Sequence, residues 1–382
     1  MSERPKTTGS PSRGSIWAKV GLVMVLPVAA TVALVTNGLL DHGDTAKQAD
    51  QASGLATVVQ ASGDLVEGLQ NERAAAAMLL GSSNSAQQRG YRAAYDNARS
   101  TVTGAAGAYT ARRTALGEVP ANVLTTLNRI DSGLRTLPDL RTAVATFKLA
   151  FTDATRGYDA VVEDLLQLRD SAAQVAADPA LNQRMRAAAA IARGKEHLSQ
   201  ERVTVLQAYA TGMLNPSLRT QFIAAQTGWL QAMETFSSNA TETEKNQFND
   251  TVAGPRLRAA TAFAGWIAGA MPASGSLAAA PFRIDSWDGA LLANGRLIRE
   301  LERQLDSAVV DAAATARDEG KRQALVEAGV PLASLLLAIL LAVFVARSMT
   351  RSRRDPSDGA VVADGPVDPD RPLATTASGN RH

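Results

Sequence analysis

The chain of 382 residues has no cysteine. That removes disulfides, thiolate metal sites and a cysteine nucleophile at one stroke. Histidine is nearly absent too. His42, His197 and His382 are the whole supply, and they share no metal-ligand spacing. Aromatic residues make up only 4 % of the sequence. Strands favour aromatic and β-branched side chains, whereas Ala, Leu, Gln, Arg and Glu, which abound here, favour helix. A net charge of +2 comes from the basic ends of the chain. No basic stripe is interleaved with aromatics, so nucleic acid is not an expected partner. No paired acid and base or activated nucleophile emerges, so an enzyme is not expected, and neither a cofactor nor a bound metal.

Two apolar runs are present, Val20 to Leu40 and Ala328 to Ala346. Each is near the roughly 20 residues that cross a bilayer core as a helix. Arg4, Lys6, Arg13 and Lys19 precede the first; Arg347, Arg351, Arg353 and Arg354 follow the second. The positive-inside rule then places both termini in the cytoplasm and the stretch between the runs outside. The first run is too long for a typical signal-peptide core and no small-x-small site follows it, so an uncleaved anchor is expected. The expected layout is a disordered N-terminus (1–15), a transmembrane helix (16–40), an extracytoplasmic helical domain (44–325), a second transmembrane helix (328–346) and a short disordered cytoplasmic tail (347–382).

Within the outer region the periodicity is helical throughout. Val58, Leu65, Leu69, Ala76 and Leu80 fall near one stripe. Breaks are expected at Gly81–Asn84, Gly117–Pro120, Asp178–Pro179, Asn215–Pro216, Ser237–Ala240 and after Pro272, with a kink or restart at Leu137–Pro138. One helix is expected from Glu242 to Met271. The last begins near Phe282, carries Ile298, Leu301, Leu305, Ala308 and Ala312 at near coiled-coil spacing, and runs on toward the membrane. An all-α, up-and-down bundle follows.

One pattern occurs twice. Leu69-Gln70-Asn71-Glu72-Arg73 and Leu198-Ser199-Gln200-Glu201-Arg202 both read L-x-x-E-R inside a long helix. The arginine lies four residues after the leucine and shares its face. In the second copy Lys195, Leu198, Arg202, Val205 and Tyr209 align. A guanidinium aimed at an apolar stripe needs a negative partner. The adjacent glutamate points about 100° away and does not serve. Two readings stay open. Arg73 pairs with Glu201 and Arg202 with Glu72 across the bundle, or the two arginines with Lys195 converge on a small planar anion, which suits the guanidinium fork.

The two L-x-x-E-R segments, with the long final helix over 283–306, resemble the nitrate- and nitrite-sensing (NIT) domain. The resemblance covers Ala46 to Gly320. It implies two stacked up-and-down four-helix bundles between two transmembrane helices, as in the outer region of bacterial sensor histidine kinases. It also implies anion-binding arginines on the first helix of each half, which by position are Arg73 and Arg202. The implied function is a membrane-anchored receptor for nitrate, nitrite or a similar oxyanion that signals by helix displacement, as two-component sensors do. The implied partners are that anion, the lipid bilayer, a second copy of the chain and a separate signalling protein. The competing expectation is a helical ectodomain that scaffolds a protein and binds no small molecule.

A kinase is not expected within this chain. Arg347 to Arg351 looks like the start of a HAMP linker, and Asp355-Pro356 departs from it. His382 is the only histidine beyond the second run, and no glycine-rich phosphate-binding motif lies there. A receptor without an output domain and a truncated chain are both consistent with this. His197 is expected as a surface or packed residue, and Trp229, Trp266 and Trp287 as packing anchors. Asn239-Ala-Thr and Asn249-Asp-Thr match the glycosylation pattern only as chance would.

Overall fold

The computed structural model describes the backbone over residues 14–82 and 84–351, and side chains from residue 45 onward with gaps beyond 323. The described residues are helical apart from short connections, and a single isolated bridge joins Met213 and Ser276. The helices are α1 (Gly14–Gly81), α2 (Ser85–Ala115), α3 (Ala121–Ala145), α4 (Phe151–Val175), α5 (Pro179–Thr211), α6 (Pro216–Asn239), α7 (Glu242–Thr251), α8 (Pro255–Gly269) and α9 (Ile284–Arg351). Residues Val32–Gly329 form one compact unit, and everything below concerns that unit unless stated.

Local chemistry sets the boundaries. Asn84 opens α2 by accepting from the backbone N–H of Ala86 and Gln87. Asp178 and Asn215 cap α5 and α6, each followed by proline at the first helical position, where the missing N–H costs nothing. Thr241 and Glu244 form a reciprocal capping box on α7. Gly212 closes α5 in the left-handed conformation, φ 81°.

Two boundaries differ from the sequence reading. Pro138 neither ends nor restarts a helix, because α3 runs through it. Pro138 is exposed, so the carbonyl it strips of a partner faces solvent, while Leu137 and Val144 on the other side stay buried. The single helix expected over Glu242 to Met271 is two helices. Gly254 sits between them at φ 101°, and Pro255 starts α8. Gly-Pro is a turn signal, and here it overrides the periodicity around it.

Two apolar cores form. One is built on α1 to α4, the N-terminal half of α5 and the stretch Ile298 to Ala313 of α9. The other gathers the C-terminal half of α5, α6, α8, the start of α9 and Ala74 and Ala77 of α1. Helices α1, α5 and α9 serve both cores and are buried on most faces, as central helices must be. Trp287 is fully buried against Phe282, which in turn meets Phe263 and Trp266 in the second core. Trp229 packs against the first. His197 lies against Gly228, where an added Cβ would meet the imidazole at 2.4 Å. These are packing roles, as the sequence suggested.

The inward stripe of α9 is Ile298, Leu301, Leu305, Val309 and Ala313. Ala308 and Ala312, expected in it, are only half-buried. Arg299, Glu302 and Asp306 are buried beside the apolar stripe. The expected disordered ends, 1–15 and 347–382, lie largely outside the described residues, as do the side chains of the first apolar run. Among the described residues no helix is long and apolar enough to cross a membrane.

Candidate anion site between the two repeated segments

The two copies of L-x-x-E-R lie on α1 and α5, and the structure puts their charges in different surroundings. Arg73 is 1 % exposed. It donates to both oxygens of Glu196, at 2.7 and 3.1 Å, to Asp159, and to Ser199 Oγ at 2.7 Å. Burial alone would lower its pKa, but Glu196 and Asp159 outweigh burial and raise it. Glu72 is met by a bidentate Arg141, both contacts 2.7 Å, and by Tyr158 at 2.9 Å. Both expected cross-pairs, Arg73 with Glu201 and Arg202 with Glu72, are therefore absent. The inward charges are satisfied by Glu196, Asp159 and Arg141, which no local pattern links to the repeats.

The second copy is less occupied. Arg202 donates from Nε to Asp288 at 2.7 Å and from Nη1 to Asn71 at 3.0 Å. No acceptor among the described residues meets its Nη2. Glu201 is 3 % exposed and has no hydrogen-bond or ion-pair partner among the described residues. Burial pushes its carboxyl up to about 8.

Lys195 is buried and donates to Glu302. Burial depresses the lysine, against the pull of Glu302. Glu302 belongs to a buried ionic cluster. Arg169 reaches it at 2.8 Å and Arg299 at 3.1 Å, while Asp306 takes both forks of Arg169 at 2.8 and 3.0 Å. Burial would raise the Glu302 carboxyl, but Lys195, Arg299 and Arg169 together hold it far below the carboxylate range. The cluster ties α4, α5 and α9 together. Arg299 also reaches Asp64 of α1 at 2.9 Å, in space that a Cβ at Gly63 would invade at 2.3 Å.

A small cavity of about 30 Å³ lies where α1, α5 and α9 meet. Lys195, Ser199 and Arg202 line it from α5, and Glu67, Gln70 and Asn71 from α1. Since one water needs about 10–15 Å³, the space suits a group of a few heavy atoms. Lys195 and Arg202 both line it. Arg73 does not; it stands behind the wall, holding Ser199. Glu67, Asn71 and Arg202 also line a wider cleft of about 700 Å³ beside α2. Spacing on α5 put Lys195 and Arg202 on one face, and both line this cavity. It could not foretell Ser199, Gln70, Asn71 or Glu67, because polar residues in a buried helix reveal their neighbours only through the fold. Gln70 and Asn71, inside the first repeat, were the available signal.

The described residues form a helical domain with two cores and a small cavity lined by Lys195 and Arg202. The sequence pattern of the family described as "Nitrate and nitrite sensing" matches residues 64–310. That is more than half of the chain, and the protein belongs to this family, which is one of sensing rather than catalysis. The structure of the NasR transcription antiterminator is similar, with a TM-score of 0.60 and 18 % identity over 84 % of this chain and 90 % of that one. At that identity the likeness speaks for the fold. A comparison with curated proteins finds no match.

Proposed function

We propose that this chain is a membrane-anchored receptor whose outer domain binds nitrate, nitrite or a similar oxyanion in the cavity between α1, α5 and α9. The observation that carries the reading is the joint placement of Lys195 and Arg202 on one small cavity, with Arg202 Nη2 uncommitted among the described residues. A guanidinium edge can meet two oxygens of a planar anion, and Lys195 adds charge from the same helix face. Arg73 takes part at one remove, by fixing Ser199 and Glu196. The anion would join α1, α5 and α9 at a point where they already share ionic contacts, so binding would bias their packing. A shift of α9 against α1 is the natural output.

The sequence supports the membrane anchoring through its two apolar runs and their basic flanks. In the second run, Leu332, Leu336, Leu337, Leu340, Leu341 and Phe344 are all exposed, a surface that water does not favour. Both termini would then be cytoplasmic.

The test is equilibrium unfolding of the detergent-solubilised full chain with nitrate, nitrite, chloride or no added anion. A ligand at about 100 times its dissociation constant should add roughly 2.7 kcal/mol. Nitrate or nitrite should stabilise and equimolar chloride should not. Equal effects of all three anions would leave only ionic strength at work and would refute the site.

A further inference from the structure

Glu201 stands at a second cavity, of about 310 Å³, formed by α5, α6, α8 and α9. It shares Leu198 and Leu291 as walls with the anion cavity but has the opposite character. No cationic side chain lines it. Trp229, Leu230 and Leu257 supply apolar walls. Two buried acceptors face it. Glu201 has no partner among the described residues, and Asn294, 4 % exposed, has an Oδ1 that accepts from nothing. Buried polar groups are almost always hydrogen-bonded, so two orphan acceptors at one apolar cavity mark a place that a donor is meant to fill. An anion would find no opposite charge there. A neutral hydrocarbon would leave both unsatisfied.

We propose that this cavity is a second ligand site, which takes a small, mainly apolar molecule carrying a primary ammonium group, with the ammonium on Glu201 and Asn294 Oδ1. The apolar body lies against Leu230, Leu257 and Trp229, whose indole face also attracts a cation. The volume falls at the lower end of small-molecule sites. Glu201 is the only titratable side chain in the wall. At neutral pH the burial of its carboxyl keeps it protonated, so the arriving ammonium displaces one proton to solvent. Affinity therefore rises with pH up to about 8 and levels off above it. The polar groups of the site are distinct from those of the anion cavity, because neither Glu201 nor Asn294 lines the latter.

The experiment is titration calorimetry of phenethylammonium into the solubilised full chain, at pH 7 and pH 8.5 and in two buffers of different ionisation enthalpy. Saturable one-to-one binding is expected, with close to one proton released at pH 7 and about a quarter of one at pH 8.5, and with affinity rising roughly tenfold per unit below the carboxyl pKa. Glu201→Gln should weaken binding at least tenfold and abolish proton release while leaving nitrate stabilisation intact. Thr261→Trp, at an exposed position on the cavity rim, should block entry without touching the carboxyl. The neutral isostere 2-phenylethanol should not distinguish wild type from Glu201→Gln. Absence of saturable phenethylammonium binding, or equal affinity in Glu201→Gln, overturns the proposal.

Discussion

Glu72 and Glu201 hold the same place in two copies of one five-residue pattern, and so do Arg73 and Arg202. In the first copy both charges are paired, although the buried Arg73 Nε meets no acceptor among the described residues. Glu72 carries Arg141 and Tyr158, and Arg73 carries Glu196, Asp159 and Ser199. In the second, among the described residues, Glu201 meets no partner and Arg202 keeps part of its fork free beside Lys195. Satisfied buried networks lock a structure in place, whereas unsatisfied ones leave interactions available to a ligand. The first copy thus reads as the fixed wall of the domain and the second as its responsive one.

Breaking the first copy should cost most. Arg73→Ala strands Glu196 and half-exposed Asp159, and Glu72→Ala strands Arg141. Each should lower the unfolding free energy by roughly 3–5 kcal/mol, as removal of one buried ion partner does, measured by urea denaturation of the full chain. Glu201→Ala should cost far less, because no partner is left behind. A loss at Glu201 equal to that at Glu72 would erase the distinction between the copies.

The pH dependence sharpens the same contrast. The Glu201 carboxyl titrates at about 8 when folded and at its ordinary 4.5 when unfolded. The folded state therefore keeps a proton that the unfolded state has released, and stability from this group falls as pH rises from about 4.5 to about 8. Glu201→Gln should flatten that part of the stability–pH curve, and a slope unchanged from wild type would show that Glu201 is already ionised in the fold.

Smaller effects probe the anion cavity. Arg202→Lys keeps a charge but loses the planar fork, so it should weaken nitrate more than a halide; parallel loss of both would mean the fork is not used. Glu67→Gln removes a like charge from the wall and should tighten nitrate binding by about fivefold. Weaker binding in that variant would place the anion elsewhere.

How much of this the residues themselves revealed varies by kind of contact. Helix content, most boundaries and the two inward arginines were legible, because caps, breaks and 3.6-residue spacing are local. Arg73's partners were not, since they lie 86 and 123 residues away and acidic residues at that distance carry no mark of pairing. The misreading of α9 was avoidable. Arg299, Glu302 and Asp306 recur at three- and four-residue steps, one position after Ile298, Leu301 and Leu305, which is the spacing of a second inward stripe. Glu302 and Asp306 are opposite in charge to Arg169, Lys195 and Arg299, which makes the burial of the set possible. The division over Val252 to Pro255 was signalled by Gly254-Pro255 and lost in the apolar rhythm around it.

The central claim is that the second copy holds the anion while the first supports it. Its most direct test is the nitrate-induced gain in unfolding free energy for wild type and Arg202→Ala. Arg202→Ala leaves Asp288, which is partly open to water, and the neutral Asn71 amide without their donor, so the fold should survive with a loss of about 1–2 kcal/mol. The gain of roughly 2.7 kcal/mol expected for wild type at about 100 times its dissociation constant should vanish. A folded Arg202→Ala protein with the full nitrate gain would contradict the account.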